Sequence, residues 1–165
     1  MSNAASNYLE NELLDHVLGG GGARAYTAPS TVFVALFADN SGSPVLSGAS
    51  GPLETGTNDT ASSSNWGYYE ITTSGTGYAR QSITFGNAGA STDGTITSNI
   101  DVSFPVATAN YNTAGGTGQI VTHIAIMDAL TNGNVLFYGA LTTSKTVSSG
   151  DQFTVSQGNL SISLA

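Results

Sequence analysis

A chain of 165 residues is most simply one domain, long enough to bury about two-thirds of the surface its unfolded form exposes. Charged residues make up only 8% of it, and a net charge of −8, from three Lys+Arg against eleven Asp+Glu, leaves no basic face for nucleic acid or anionic lipid. Cysteine is absent, which removes disulfides and thiolate chemistry.

In chain order, the start carries neither a basic segment nor an apolar core before Tyr8, so no signal peptide is expected. No apolar run approaches the roughly 18 residues of a membrane span. Residues 7–18 predict an amphipathic helix in which Leu9, Leu13 and Val17 form a stripe widened by Leu14 and Leu18. Asn7, with Glu10 three residues on, is the expected N-cap. Gly19–Gly22 then end the helix. A helix of about three turns is not stable alone in water. Leu9, Leu13, Leu14 and Val17 are therefore expected to form an assembly contact, against the sheet of their own or an adjacent subunit. The chain divides into a helical arm with a glycine hinge, residues 1–22, and a β domain, residues 23–165.

Beyond the hinge the pattern becomes β. Thr31–Phe37 reads as a strand with two apolar faces. Residues 39–65 form a long polar stretch broken by Pro44 and Pro52, expected to be a loop that is functional or stabilised by its neighbours. Trp66–Thr73 reads as a strand, with Trp66, Tyr68 and Tyr69 as a candidate surface or receptor contact that could stack on a sugar or a partner. Aromatics half-buried on an edge strand are the plainer alternative. Gly77–Phe85 alternates as a further strand, and Ile96–Phe104 reads as a weaker pair ending at Pro105.

The centre of the pattern is Gln119–Leu141. Two β-rich runs flank Asn132-Gly133, a strong hairpin signal. In the first run Ile120, Thr122, Ile124 and Ile126 alternate with Val121, His123, Ala125 and Met127, so both faces are apolar and both call for cover. Ile124 and Phe137 are expected to be fully buried. Thr143–Val147, Phe153–Ser156 and Leu160–Leu164 follow as short strands with Gly-rich turns. Many short strands with one N-terminal helix define an all-β chain, an antiparallel β-sandwich of jelly-roll-like type.

Chemistry finds little to stand on. His16, His123 and Asp128 lie on separate elements without the short ligand spacing of a metal site. His123 is expected to be a hydrogen-bonded structural residue, and Asp128 to satisfy turn amides. No Gly-x-Ser-x-Gly elbow occurs. Asp93, Asp101 and Glu70 are carboxylates of the type a glycosidase pairs, but eleven acids bring some pair together in any fold. Asp39-Asn-Ser-Gly42 lacks the later oxygens of a calcium loop. Gly19–Gly22 has no preceding strand and no following Lys-Ser/Thr, so it is no phosphate cradle. The expectation is a non-enzymatic chain with no metal and no cofactor.

Several segments, taken in order, carry a resemblance: Tyr8–Leu18, Tyr26–Leu36, Gly77–Gln81, Phe104–Ala107, Val121–Asp128 and Gly139–Val147. Together they resemble small virion structural proteins of tailed bacteriophages, of the head-decoration and tail-fibre type. The likeness covers most of the chain apart from residues 39–65. It implies a structural protein of the phage particle, made in the host bacterial cytoplasm. The first expectation is a capsid decoration (cement) protein, a homotrimer bracing the major capsid protein shell. The alternative is a tail-fibre or tail-tip component, partnered with tail proteins, that binds a host surface glycan.

Overall fold

The structure, a computed structural model, describes residues 4–18, 26–39, 46–87, 94–116 and 118–164. The expected hinge at 19–22, residues 40–45 of the polar stretch, and Asp93 lie outside the described residues.

The elements are β1 (Ala4–Ala5), α1 (Asn7–Leu18), β2 (Val32–Ala38), α2 (Pro52–Thr55), a 3-10 turn at Trp66–Tyr68, β3 (Gln81–Ile83), β4 (Thr95–Thr97), β5 (Val102–Ser103), β6 (Ile120–Met127), β7 (Val135–Thr146), β8 (Thr154–Val155) and β9 (Ser161–Ser163). One five-stranded sheet runs β1-β7-β6-β2-β3, with every neighbouring pair antiparallel. Two short antiparallel ladders, β4–β9 and β5–β8, complete the strands. The fold is all-β and sandwich-like, with its longer helix at the N-terminus. The second layer is built from the ladders and their connecting segments rather than from a second broad sheet.

β6 lies at the middle of the sheet, and cover on both its faces answers its two-sided apolar pattern. One face carries Val34, Leu36, Ile124 and Ile126, packed against Val102, Phe104, Phe153, Leu160 and Ile162 of the ladder side. The other carries Ala35, Phe37, Ala125 and Met127, packed against Leu46, Leu53, Trp66 and Tyr69. Residues 46–65 are therefore not an open loop. Leu46 and Leu53 are buried, and α2, with Pro52 in its first turn, holds them over the sheet.

Period two fails once along β6. Pairing shifts between Val121 and His123, and β2 shifts at the same level between Phe37 and Ala38. A bulge reverses which side the next residue faces. Val121 consequently joins the cluster of Ile124, opposite Ala38, which keeps the face of Val34 and Leu36, and Ile120, expected beside Ile124, is exposed.

The hairpin forms, but Asn132-Gly133 is not a two-residue turn. β6 ends at Met127 and β7 begins at Val135, leaving a loop from Asp128 to Asn134. Asn132 and Gly133 have φ of 56° and 73°, the positive values that Asn and Gly tolerate best. A Cβ at Gly133 would collide with the Asp128 carboxylate. Asp128 closes the loop as expected of it, accepting the Asn134 backbone N–H at 2.7 Å and the Asn134 side-chain amide at 2.8 Å.

Other boundaries also move. Trp66–Thr73 is a 3-10 turn followed by single bridges, Glu70 to Phe37 and Ile71 to Thr113. Residues 143–146 extend β7 instead of forming a separate strand. Phe137 is half-buried, whereas Ile124 is buried as expected. Ser6, not Asn7, caps α1: its hydroxyl accepts the Leu9 N–H at 3.4 Å and donates to the Val135 carbonyl, while its own N–H donates to Leu136 at 3.0 Å.

Candidate functional site

The best-built polar arrangement surrounds Arg80. It belongs to the irregular segment before β3, and its side chain turns inward to the segment that follows the 3-10 turn. Nε and Nη2 each reach a Glu70 carboxylate oxygen at 2.7 Å, a bidentate pair. Nη1 donates to the carbonyls of Ala129 and Asn132, both at 2.8 Å. The guanidinium also lies over the Trp66 ring, 5.5 Å from its centroid. Tyr78 donates its hydroxyl proton to Glu70 at 3.1 Å and accepts the Leu36 N–H at 3.0 Å, tying the pair to β2.

Arg80 is only 6% exposed. Burial works against its charge, but the hydrogen bond and charge of Glu70 outweigh it and hold the pKa above the ordinary value. Burial, reinforced by the Glu70 charge, pushes the Tyr78 phenol well up. An ion pair so enclosed is a frame, and here the frame fixes the hairpin loop. Sequence reasoning missed it. The available signal was a single arginine inside an alternating, largely apolar run.

Above this frame lies an open cleft of about 370 Å³. Asn58, Thr60, Thr72, Thr73, Thr131 and Asn132 supply its polar lining, and Ala79, Ala114 and Leu130 its apolar contacts, with Glu70 and Arg80 also reaching it. Asn58 donates its side-chain amide to the Asn132 side-chain oxygen, linking the segment over the sheet to the hairpin loop.

The three expected contact aromatics part company here. Trp66 and Tyr69 are 2% and 0% exposed, in the core cluster that covers the sheet. Neither offers a ring face to a receptor. Tyr68 is half-buried, packed edge-on to Tyr69, with its ring against Gly115. The helical stripe divides as well. Leu9 is buried and Leu13 half-buried against the sheet cluster, but Leu14 and Val17 are 56% and 72% exposed, with Leu18 beside them. The first turns of α1 thus dock on their own sheet, and the last ones do not.

His123, hydrogen-bonded as expected, is buried on the face covered by residues 46–65. Its Nδ1 lies 2.9 Å from the Thr122 hydroxyl and its Nε2 lies 3.4 Å from Ser47. Burial lowers its pKa, against the opposing charge of Asp39. Ser47, His123 and Asp39 look at first like a hydrolytic trio. The orienting partner at Nδ1 is a hydroxyl rather than a carboxylate, however, so the geometry for activating Ser47 is incomplete. His16 is exposed on α1 and Asp101 is exposed beside β5. Among the described residues no group of three or more His, Cys, Asp or Glu could hold a metal ion. No described helix is long and apolar enough to cross a membrane.

An all-β chain with few charges and an exposed apolar helix end has the construction of a structural protein. A family model described as podophage GP4 fiber I protein gp80 matches residues 4–163, and the chain belongs to that family. It is a structural protein of the phage virion and associates with other virion proteins. No match was found among curated proteins.

Proposed function

We propose that this chain is a fibre component of a podophage particle that contacts a glycan on the host surface. The carrying observation is the fibre-family match over residues 4–163, nearly the whole chain. It favours the tail-fibre alternative over the shell-bracing role expected first. The low surface charge supports a static structural role, and the exposed Leu14, Val17 and Leu18 support a docked subunit rather than a free one. The arm of residues 1–22, or its exposed helix end, is the proposed contact with a neighbouring virion protein. Homotrimerisation is part of the same proposal, as is a non-enzymatic role.

Position in the particle is tested by labelling purified virions with antibody to this chain and counting its copies per particle. Label at the tail and a low, fibre-like copy number are expected. Label spread over the head at shell-scale copy number would restore the decoration reading. Sedimentation of the purified chain measures the trimer.

A further inference from the structure

Resting on the fibre reading above, we infer that the cleft between the hairpin loop and the segment containing Asn58 is the saccharide site, and that it takes an uncharged glycan. Four observations carry this.

The cleft is preformed. Arg80 grips the carbonyls of Ala129 and Asn132, and Asn58 is bonded to Asn132 across the gap, so both rims are fixed before any ligand arrives. A rigid site loses less entropy on binding. Its volume of about 370 Å³ lies in the small-ligand range of about 300–1,000 Å³.

One wall is left to recognise a ligand chiefly with side chains. The backbone along one wall is already engaged: Ile71 N–H bonds to Leu36, Thr72 N–H to Asn112, and Ala114 N–H to Glu70. Those donors are not available to an extended peptide pairing by strand addition.

The side chains at the opening are hydroxyls and carboxamides from Thr60, Thr72, Thr73, Thr131, Asn58 and Asn132. Each both donates and accepts, as a sugar hydroxyl does. Leu130, half exposed, and Ala114 provide the apolar contact that the C–H face of a pyranose needs.

Charge selects against acidic glycans. Glu70 and Arg80 neutralise each other at the base of the cleft, so no net cation faces the ligand. The chain as a whole carries −8, which repels polyanions.

The test uses the full chain on an array of neutral hexose and N-acetylhexosamine oligosaccharides, with uronic-acid and sialylated oligosaccharides as the acidic set. Thr73→Arg and Thr131→Arg, both at exposed positions, fill the opening without entering the core. Ser103→Arg, at the exposed position of β5, is the control. Thermal melts establish that each variant is folded. The expected result is binding to neutral oligosaccharides that falls about tenfold or more in each cleft variant and is unchanged in Ser103→Arg. Binding that ignores both cleft variants would overturn this site while leaving glycan recognition by the fibre intact. Preference for the acidic set would overturn the charge argument. Absence of binding to either set, by a chain that labels at the tail, would overturn glycan recognition but not the fibre reading.

Discussion

Arg80 and Glu70 meet through two parallel hydrogen bonds of 2.7 Å, and this pair ties the tip of the central hairpin to the segment bridged to β2. Removing one partner leaves the other charge buried and uncompensated. Glu70→Gln or Arg80→Ala should therefore each cost about 3–5 kcal/mol. Replacing both together by Met and Leu should cost much less than the sum. A double-mutant cycle in urea denaturation measures this, and additive losses would mean that the two side chains act separately.

Ile124, buried at the centre of β6, tests the core. Ile124→Ala should cost about 2–5 kcal/mol through lost transfer energy and the cavity left behind. Phe137→Ala should cost less than a fully buried Phe would, because the side chain is only half covered. The order of the two denaturation midpoints checks the assignment.

Legibility in the sequence followed the range of the interactions. β6 and β7 were readable because alternation and Asn132-Gly133 are local signals, and α1 because its period is local. The bulge near Thr122 was not. It depends on β2 and β7 shifting together with β6, which no single run of residues displays. Trp66 and Tyr69 read as strand aromatics, either a surface contact or half-buried on an edge. Their burial comes from distant partners, Phe37 edge-on to Trp66 and Arg80 over its ring. Gly67 in the same turn sits against the Asn58 backbone, where a Cβ would be 2.7 Å from the Asn58 carbonyl carbon. Leu46 and Leu53 stood as isolated apolar residues in a polar stretch with no period, so the layer they anchor could not be read. The cleft was hidden for the same reason. It is assembled from five separate segments, and the Glu70–Arg80 pair beneath it joins two irregular ones.

Acid should loosen the layer held to His123. Its pKa is lowered from 6.5 by burial, against the opposing charge of Asp39. Below that value the unfolded chain takes up a proton that the folded chain resists, so stability falls as pH drops through 6.5 and below. Asp39 acts with the opposite sign. Burial raises its pKa from 3.8, against the His123 charge and a backbone hydrogen bond. Between 3.8 and its folded value, protonation relieves the folded state and stability rises as pH falls. A Tm series from neutral to acid pH should show the first loss, and His123→Gln should flatten it. An unchanged slope in His123→Gln would assign the acid response to another group.

The two ends of α1 should separate folding from assembly. Leu9 is buried against the sheet cluster, so Leu9→Ala should cost about 2–5 kcal/mol. Leu14 and Val17 are exposed, and Leu14→Ser with Val17→Ser should leave stability within about 0.5 kcal/mol per site. Their proposed work is outside the subunit. With Leu18 they make three large apolar side chains on one helix end, a patch that water does not favour and a virion neighbour can cover. Particles grown with the double variant should therefore carry fewer copies of the chain, although the purified variant melts as the parent does. Full occupancy would show that another surface makes the contact. The control is internal: a loss of occupancy accompanied by a lowered Tm would point to misfolding, whereas occupancy lost at constant Tm isolates the docking role of Leu14 and Val17.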